Sequence, residues 1–206
     1  MTRASTKSHW DAYWQQHGDP HATYDNDDRI LTPILALGDV RGKRILEVGA
    51  GSGRDSIELA RQGAIVTVID YVPSSLTVVA KNAAQAGVPI QLVCGDGTRM
   101  PFPDDTFDCV LCCEVVEHVP RDPSPIAELV RVLRPGGRLV LSTPDYGTPM
   151  WPIVEKLYAA AQPKGYADEH ITHYTEESLI EEMRGYGLRC VGLNRVYRAI
   201  VVGAFE

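Results

Sequence analysis

Apolar and polar positions along this chain follow two different periods, and the change from one to the other marks out its elements. From residue 43 onward, short apolar runs of strand type alternate with longer stretches whose apolar residues recur at helical spacing. Strands are predicted at Ile45–Val48, Ile65–Ile69, Ile90–Cys94, Phe107–Cys113 and Arg138–Thr143. Helices are predicted between them, at 54–62, from Pro73 to the stop at Gly87, and at 124–133. Leu76, Val79, Ala80 and Ala83 stripe the second helix, and Ile126, Leu129, Val130 and Leu133 the third. Gly63 stops the first helix, and Pro135-Gly136-Gly137 breaks the third. The run 107–113 is almost continuously apolar, as a strand covered on both faces should be.

The rhythm is lost at both ends. Residues 8–17 form a helix-compatible segment with Trp10, Tyr13 and Trp14 on one face, ended by Gly18 and Pro20. It reads either as a helix docked on the core or as an aromatic lid over a ligand site. A second helix is predicted at 28–37, interrupted near its start by Pro33. A regular α/β connection needs only about 2–6 residues on each side of its helix. The stretch 144–174, with a helix at 152–161 and a polar turn at 163–165, is therefore expected to be an insertion over the site. A last helix at 176–186 starts at the cap Thr175. Strands at 188–194 and 197–202 close the chain as an antiparallel hairpin at the sheet edge. The expected fold is α/β, with a seven-stranded mostly parallel sheet and helices on both faces. One domain is expected to span 1–206, with residues 1–40 as an N-terminal helical lid.

Composition narrows the function classes. A chain of 206 residues, 44% hydrophobic and 23% charged, is ordinary for a soluble globular domain. The formal charge of −7 argues against non-specific nucleic-acid binding. No apolar run approaches the ~20 residues of a membrane span, and the N-terminus lacks a signal-peptide pattern. Cys94, Cys109, Cys112, Cys113 and Cys190 are odd in number and read as reduced thiols, so a cytoplasmic protein is expected. Cys109 and Cys112 have C-x-x-C spacing, but on a strand they would face opposite ways.

The candidate chemistry gathers at strand ends, where open parallel sheets bind ligands. Strand 45–48 runs into a turn with Gly49, Gly51 and Gly53 and then a helix, a unit that holds nucleotide-like molecules. A dinucleotide fingerprint would need glycine at position 54, where this chain has Arg54. Its spacing is instead acidic-x-G-x-G-x-G, from Glu47 to Gly53. Asp70, ending the next strand, could accept hydrogen bonds from ribose hydroxyls; the bland alternative is a solvated strand-end carboxylate. Asp96, in Cys94-Gly-Asp-Gly-Thr98, could accept from an adenine amino group while Gly97 or Thr98 N–H donates to the ring and Met100 offers an apolar face. An ordinary Gly-Asp-Gly turn is the alternative there.

Glu47–Gly53, Val68-Ile-Asp70, Gly95-Asp-Gly97 with Met100-Pro-Phe102, Phe107-Asp-Cys-Val110 and Val132-Leu-Arg-Pro-Gly-Gly137 occur in an order that resembles the class I S-adenosylmethionine (SAM) methyltransferases, over roughly residues 40–145. The resemblance implies a Rossmann-like fold, SAM as cofactor and S-adenosylhomocysteine (SAH) as product. It places Glu47, Gly49, Ala50, Gly51 and Gly53 at the methionine part. Asp70 and Tyr71 fall at the ribose, Asp96, Gly97, Thr98 and Met100 at the adenine, and Glu114 also on the cofactor side.

Glu114-Val-Val-Glu-His118 is the remaining motif. It reads plainly as a strand-to-helix junction whose carboxylate caps orphan N–H groups. If helical, Glu114, Glu117 and His118 share one face, and two carboxylates with an imidazole suit Mg²⁺ or Mn²⁺, and less well Zn²⁺. The motif resembles the metal-binding E-x-x-E-H of ubiquinone-pathway O-methyltransferases and of small-RNA 3′-terminal 2′-O-methyltransferases. In the second group a downstream histidine completes the site, a part for which this chain offers His170 and His173. Glu114, Glu117, His118 and His170 are thus the candidate metal ligands. Without a metal, His118 is the general base, with Glu117, His170 and His173 as helpers. His9, His17 and His21 read as surface histidines.

The expected activity is O-methylation of a small-molecule hydroxyl. C- or N-methylation in a quinone or natural-product pathway and a non-catalytic SAM-binding partner are the alternatives. A nicotinamide oxidoreductase is disfavoured by Arg54, and an RNA acceptor by the lack of a basic stripe. A monomer or homodimer is expected.

Overall fold

The computed structural model describes residues 7–16, 38–153, 156–157, 170–196 and 200–206. Helix α1 (Lys7–Gln16) precedes five strands and three helices: β1 (Arg44–Val48), α2 (Arg54–Arg61), β2 (Ile65–Asp70), α3 (Pro73–Ala86), β3 (Gln91–Cys94), β4 (Phe107–Cys113), α4 (Pro125–Val132) and β5 (Leu133–Pro144). Helix α5 (Glu176–Gly185) and strands β6 (Cys190–Val196) and β7 (Ile200–Phe205) follow. The seven strands lie in the order β3-β2-β1-β4-β5-β7-β6. All pairs through β5 are parallel, and β7 runs antiparallel to both of its neighbours.

Alternation along the central strands divides the core between the two faces. Val110 and Cys112 of β4 join Leu139, Leu141, Ile126, Leu129, Leu179 and Met183 under α4 and α5. Cys109 and Leu111 join Ile45, Val66, Leu59 and Val79 under α2 and α3 on the other face. Cys109 and Cys112 thus point opposite ways, and all five cysteines are free thiols. No helix among the described residues is long and apolar enough to cross a membrane.

Local signals set most helix ends. Ser124 Oγ accepts from Ala127 N–H at 3.3 Å to start α4, and Thr175 caps α5 in a reciprocal bond with Ser178. Gly87 takes φ 69° to end α3.

Two boundaries differ from expectation. Pro135-Gly136-Gly137 does not separate α4 from β5, because the strand begins at once at Leu133, opposite Phe107. Four residues are then accommodated as the register shifts to Cys109 opposite Arg138, with Gly136 at φ 71°. The last strand is Ile200–Phe205 rather than 197–202, because pairing with β5 sets Phe205 opposite Leu139 and buries its ring. The helix expected at 28–37, most of that expected at 152–161, the turn at 163–165, and His17 and His21 lie outside the described residues.

Candidate functional site

The carboxyl ends of β1 to β5 share one edge of the sheet. At β1, Glu47 is buried and accepts a hydrogen bond from Ser56 Oγ of α2. Burial, then the neighbouring charge of Asp55, raises Glu47 from 4.5 to about 8. Asp55 is itself raised to about 6 by burial, against the pull of Arg54. The turn between them takes left-handed backbone at Gly51 (φ 54°) and Gly53 (φ 80°). A Cβ at Gly53 would meet Val79 Cγ1 at 2.8 Å, so this turn can pack against α3 only without a side chain.

At β2, Asp70 Oδ1 accepts from Val72 N–H and Oδ2 from Ser75 Oγ, both at 2.8 Å. Ser75 Oγ also reaches the Gly51 carbonyl at 3.3 Å, tying α3 to the glycine turn. Burial raises Asp70 while these bonds hold it down. Tyr71 is 51% exposed, with Lys7 Nζ 4.6 Å from its ring centre. At β3, Asp96 Oδ1 accepts both Thr98 N–H and Thr98 Oγ1 at 2.8 Å, a closed turn. Gly97 lies beside it, a Cβ there falling 3.2 Å from Val48 Cγ1. Ala50 is buried within the core on the α3 face. Met100 departs from expectation: only 4% exposed, it packs inward with the core instead of presenting an open apolar face.

The motif at β4 is not one helical turn. Glu114 sits at φ 54°, and the only helical residues are the 3₁₀ turn Val116–His118. The left-handed residue breaks the i, i+3, i+4 face, so Glu114 takes a separate bond from Ser142 Oγ at 2.7 Å. Among the described residues, Glu117, His118 and His170 form the set whose ligand atoms lie within 4.8 Å of one another. Glu114 and His173 are not in it. His173 is exposed and stacks on Tyr146, with ring centres 3.9 Å apart.

Glu117 is fully buried. Its Oε2 accepts from Thr143 Oγ1 at 3.2 Å, and its Oε1 has no hydrogen-bond partner among the described residues. Burial, then the charge of Glu114, raises its carboxyl well above the ordinary range. The Glu117 carbonyl accepts Ile171 N–H at 2.9 Å and Thr172 N–H at 3.0 Å, which brings His170 beside His118 with ring centres 4.8 Å apart. Burial lowers His170 to about 3, with smaller contributions from His118 and His173. Tyr146 Oη lies 2.8 Å from His170 Nδ1, and Trp151 stacks on the His170 ring at 5.7 Å.

Helix α1 spans both halves of this edge. Trp10 meets His118 edge-on at 5.1 Å, and Ser74 Oγ of α3 donates to the Asp11 carbonyl at 3.1 Å. Thr143, Tyr146 and Trp151 are additional residues of the site. The strand-end rule would have reached Thr143 and Tyr146 had it also been applied to β5, which ends at Pro144. No periodic signal points to Trp151.

The donor set fits SAM: three carboxylates (Glu47, Asp55 and Asp70) around a glycine turn suit a ligand carrying an ammonium, a sulfonium and a ribose diol. A methyltransferase-domain family model matches residues 46–141. The chain belongs to the SAM-dependent methyltransferase family. It is 37% identical over 145 residues to a ubiquinone biosynthesis O-methyltransferase of Xylella fastidiosa (strain M23), covering 68% of this chain and 56% of that one. It is 37% identical over 123 residues to a demethylmenaquinone methyltransferase of Beutenbergia cavernae, covering 60% and 49%. The chain thus spans about half the length of these curated relatives. Among solved structures it is similar to magnesium protoporphyrin IX methyltransferase from Synechocystis PCC 6803 with bound SAH. That match has a TM-score of 0.73 and 18% identity, and it covers 96% of this chain and 94% of the other.

Proposed function

We propose that this protein transfers the methyl group of SAM to a hydroxyl of a small-molecule acceptor. The observation that carries the choice of oxygen is the cluster of buried Glu117 and His170 with half-buried His118 at the end of β4, beside the cofactor edge. SAM, when bound, supplies a methyl group on a sulfonium whose positive charge disappears on transfer. Glu47 and the glycine turn would hold the methionine part, Asp70 the ribose and the Asp96–Thr98 turn the adenine. Alignment of this kind is worth ~7–11 kcal/mol.

The acceptor hydroxyl is the harder partner to activate, since an amine or thiol is already nucleophilic. His118 would take its proton, with Glu117 behind it. The unpartnered buried Oε1 of Glu117 and the two imidazoles also fit a divalent cation, which would lower the pKa of a bound hydroxyl. The Xylella relative's part in ubiquinone biosynthesis suggests an acceptor from a quinone pathway, and a planar ring would suit Trp10 and Trp151. The expected setting is the cytoplasm.

A thermal-shift panel tests the cofactor: SAM and SAH should raise the melting temperature and NAD(P) should not. A shift with NAD(P) alone overturns the reading. Screening phenols, quinols and hydroxy acids for SAH release, with and without EDTA, tests the acceptor and the cation. Turnover confined to carbon or nitrogen acceptors would refute the hydroxyl assignment.

A further inference from the structure

We propose that Tyr146 is a positioning residue of this site, whose hydroxyl holds the His170 imidazole in one orientation and one tautomer facing Glu117 and His118. The proposal rests on reading that cluster as the centre that activates the acceptor.

Tyr146 is held from several sides. Its backbone N–H donates to the Tyr174 carbonyl at 2.9 Å, and Asp145 beside it bridges to Tyr174. Asp145 Oδ1 in turn accepts Gly147 N–H at 2.9 Å and Glu176 N–H at 3.3 Å. His173 lies nearly parallel on the phenol ring, the two planes 15° apart. The hydroxyl is thereby delivered to His170 Nδ1 at 2.8 Å from a well-fixed base.

The hydroxyl does what the Trp151 stack cannot. Trp151 stacks on His170 at 21° and sets the plane of the imidazole. A half-turn of the ring within that plane would exchange Nδ1 with Cδ2 and Nε2 with Cε1 while keeping the same stack. Only a polar partner at Nδ1 tells the two apart. A phenol donates more readily than it accepts, so in this proposal the O–H donates to Nδ1 and leaves the imidazole proton on Nε2.

The test is the two-bond ¹H–¹⁵N spectrum of the full chain at neutral pH, for the native protein and for Tyr146→Phe, which keeps the ring that His173 stacks on. The native protein should show His170 as a single tautomer, and Tyr146→Phe a mixture of both. With an acceptor in hand, kcat should fall about tenfold in the variant while the SAM KM is unchanged. A retained SAH thermal shift shows that the variant keeps its cofactor cradle. The same single tautomer in both proteins, or a mixture already in the native one, overturns the proposal. Failure of the cluster reading is seen separately, as full turnover in His118→Ala.

Discussion

The indole edge of Trp14 stands over the bare Cα of Gly51: a Cβ built there would lie 3.2 Å from both Cζ2 and Cη2 of the ring. The first helix is therefore seated directly on the glycine turn. Gly51→Ala would press on the indole and force a side chain into left-handed backbone, a strain of about 1–3 kcal/mol. SAH affinity measured by calorimetry should fall roughly tenfold, and tryptophan emission should change as the ring is displaced. Unchanged affinity and emission would show that this contact is incidental.

Asp70 presents a carboxylate already oriented by Val72 N–H and Ser75 Oγ. Asp70→Ala removes charge-assisted bonds worth about 1.5–3 kcal/mol each and should weaken SAM binding accordingly in titration calorimetry. An unaffected dissociation constant would move the ribose elsewhere.

His118 lies between the Trp10 ring and His170. His118→Ala should lower turnover by about 10²–10⁴-fold while leaving the SAH thermal shift in place. The reverse pattern would assign His118 to the cofactor. Excess EDTA separates the two forms of assistance, since full activity in chelator leaves His118 as a metal-free base.

Two buried groups give stability a pH dependence of opposite sign. Glu47 is raised from 4.5 to about 8, so the folded chain keeps a proton that the unfolded chain releases across that window. Its stabilisation is full below 4.5 and is lost as pH rises through about 8. His170 is lowered from 6.5 to about 3, so its contribution is present above 6.5 and lost as pH falls toward 3. Melting temperatures across this range should fall on both sides, and Glu47→Gln should reduce the alkaline fall, to which the raised Glu117 and Asp55 also contribute, without changing the acid side. An alkaline limb of unchanged size in Glu47→Gln would assign it to another group.

Stability should also separate the centre of the sheet from its edge. Leu139 of β5 is fully buried, and Leu139→Ala should cost about 2–5 kcal/mol in urea unfolding. Val191, 40% exposed on β6, should tolerate alanine within ~0.5 kcal/mol. Equal losses at the two positions would contradict the observed burial.

What was legible beforehand follows from how local each cause is. Thr175 and Ser124 cap through neighbours three residues away, so α5 and α4 announce their starts. The parallel strands each carry a compact apolar run, and the acids that end β1, β2 and β3 follow from them. Phe205 becomes strand because its ring is buried opposite Leu139, a distant partner that outweighs weak local preference in Gly203-Ala204-Phe205. Glu114 misled because its spacing to Glu117 and His118 suits a helix, whereas its own backbone is left-handed. Tyr146 reaches His170 across 24 residues of chain, and no periodicity encodes that distance.

The two amide hydrogens of Ile171 and Thr172 that converge on the Glu117 carbonyl have a consequence for how this scaffold can be varied. They fasten the chain downstream of β5 back onto β4's own terminus, and the Asp145–Tyr174 bridge ties the same stretch to the end of β5. Backbone groups make both ties, so His170 is held at the sheet edge whatever side chain position 171 carries. Exchange of the exposed Ile171 side chain should therefore leave the reactive histidines in register.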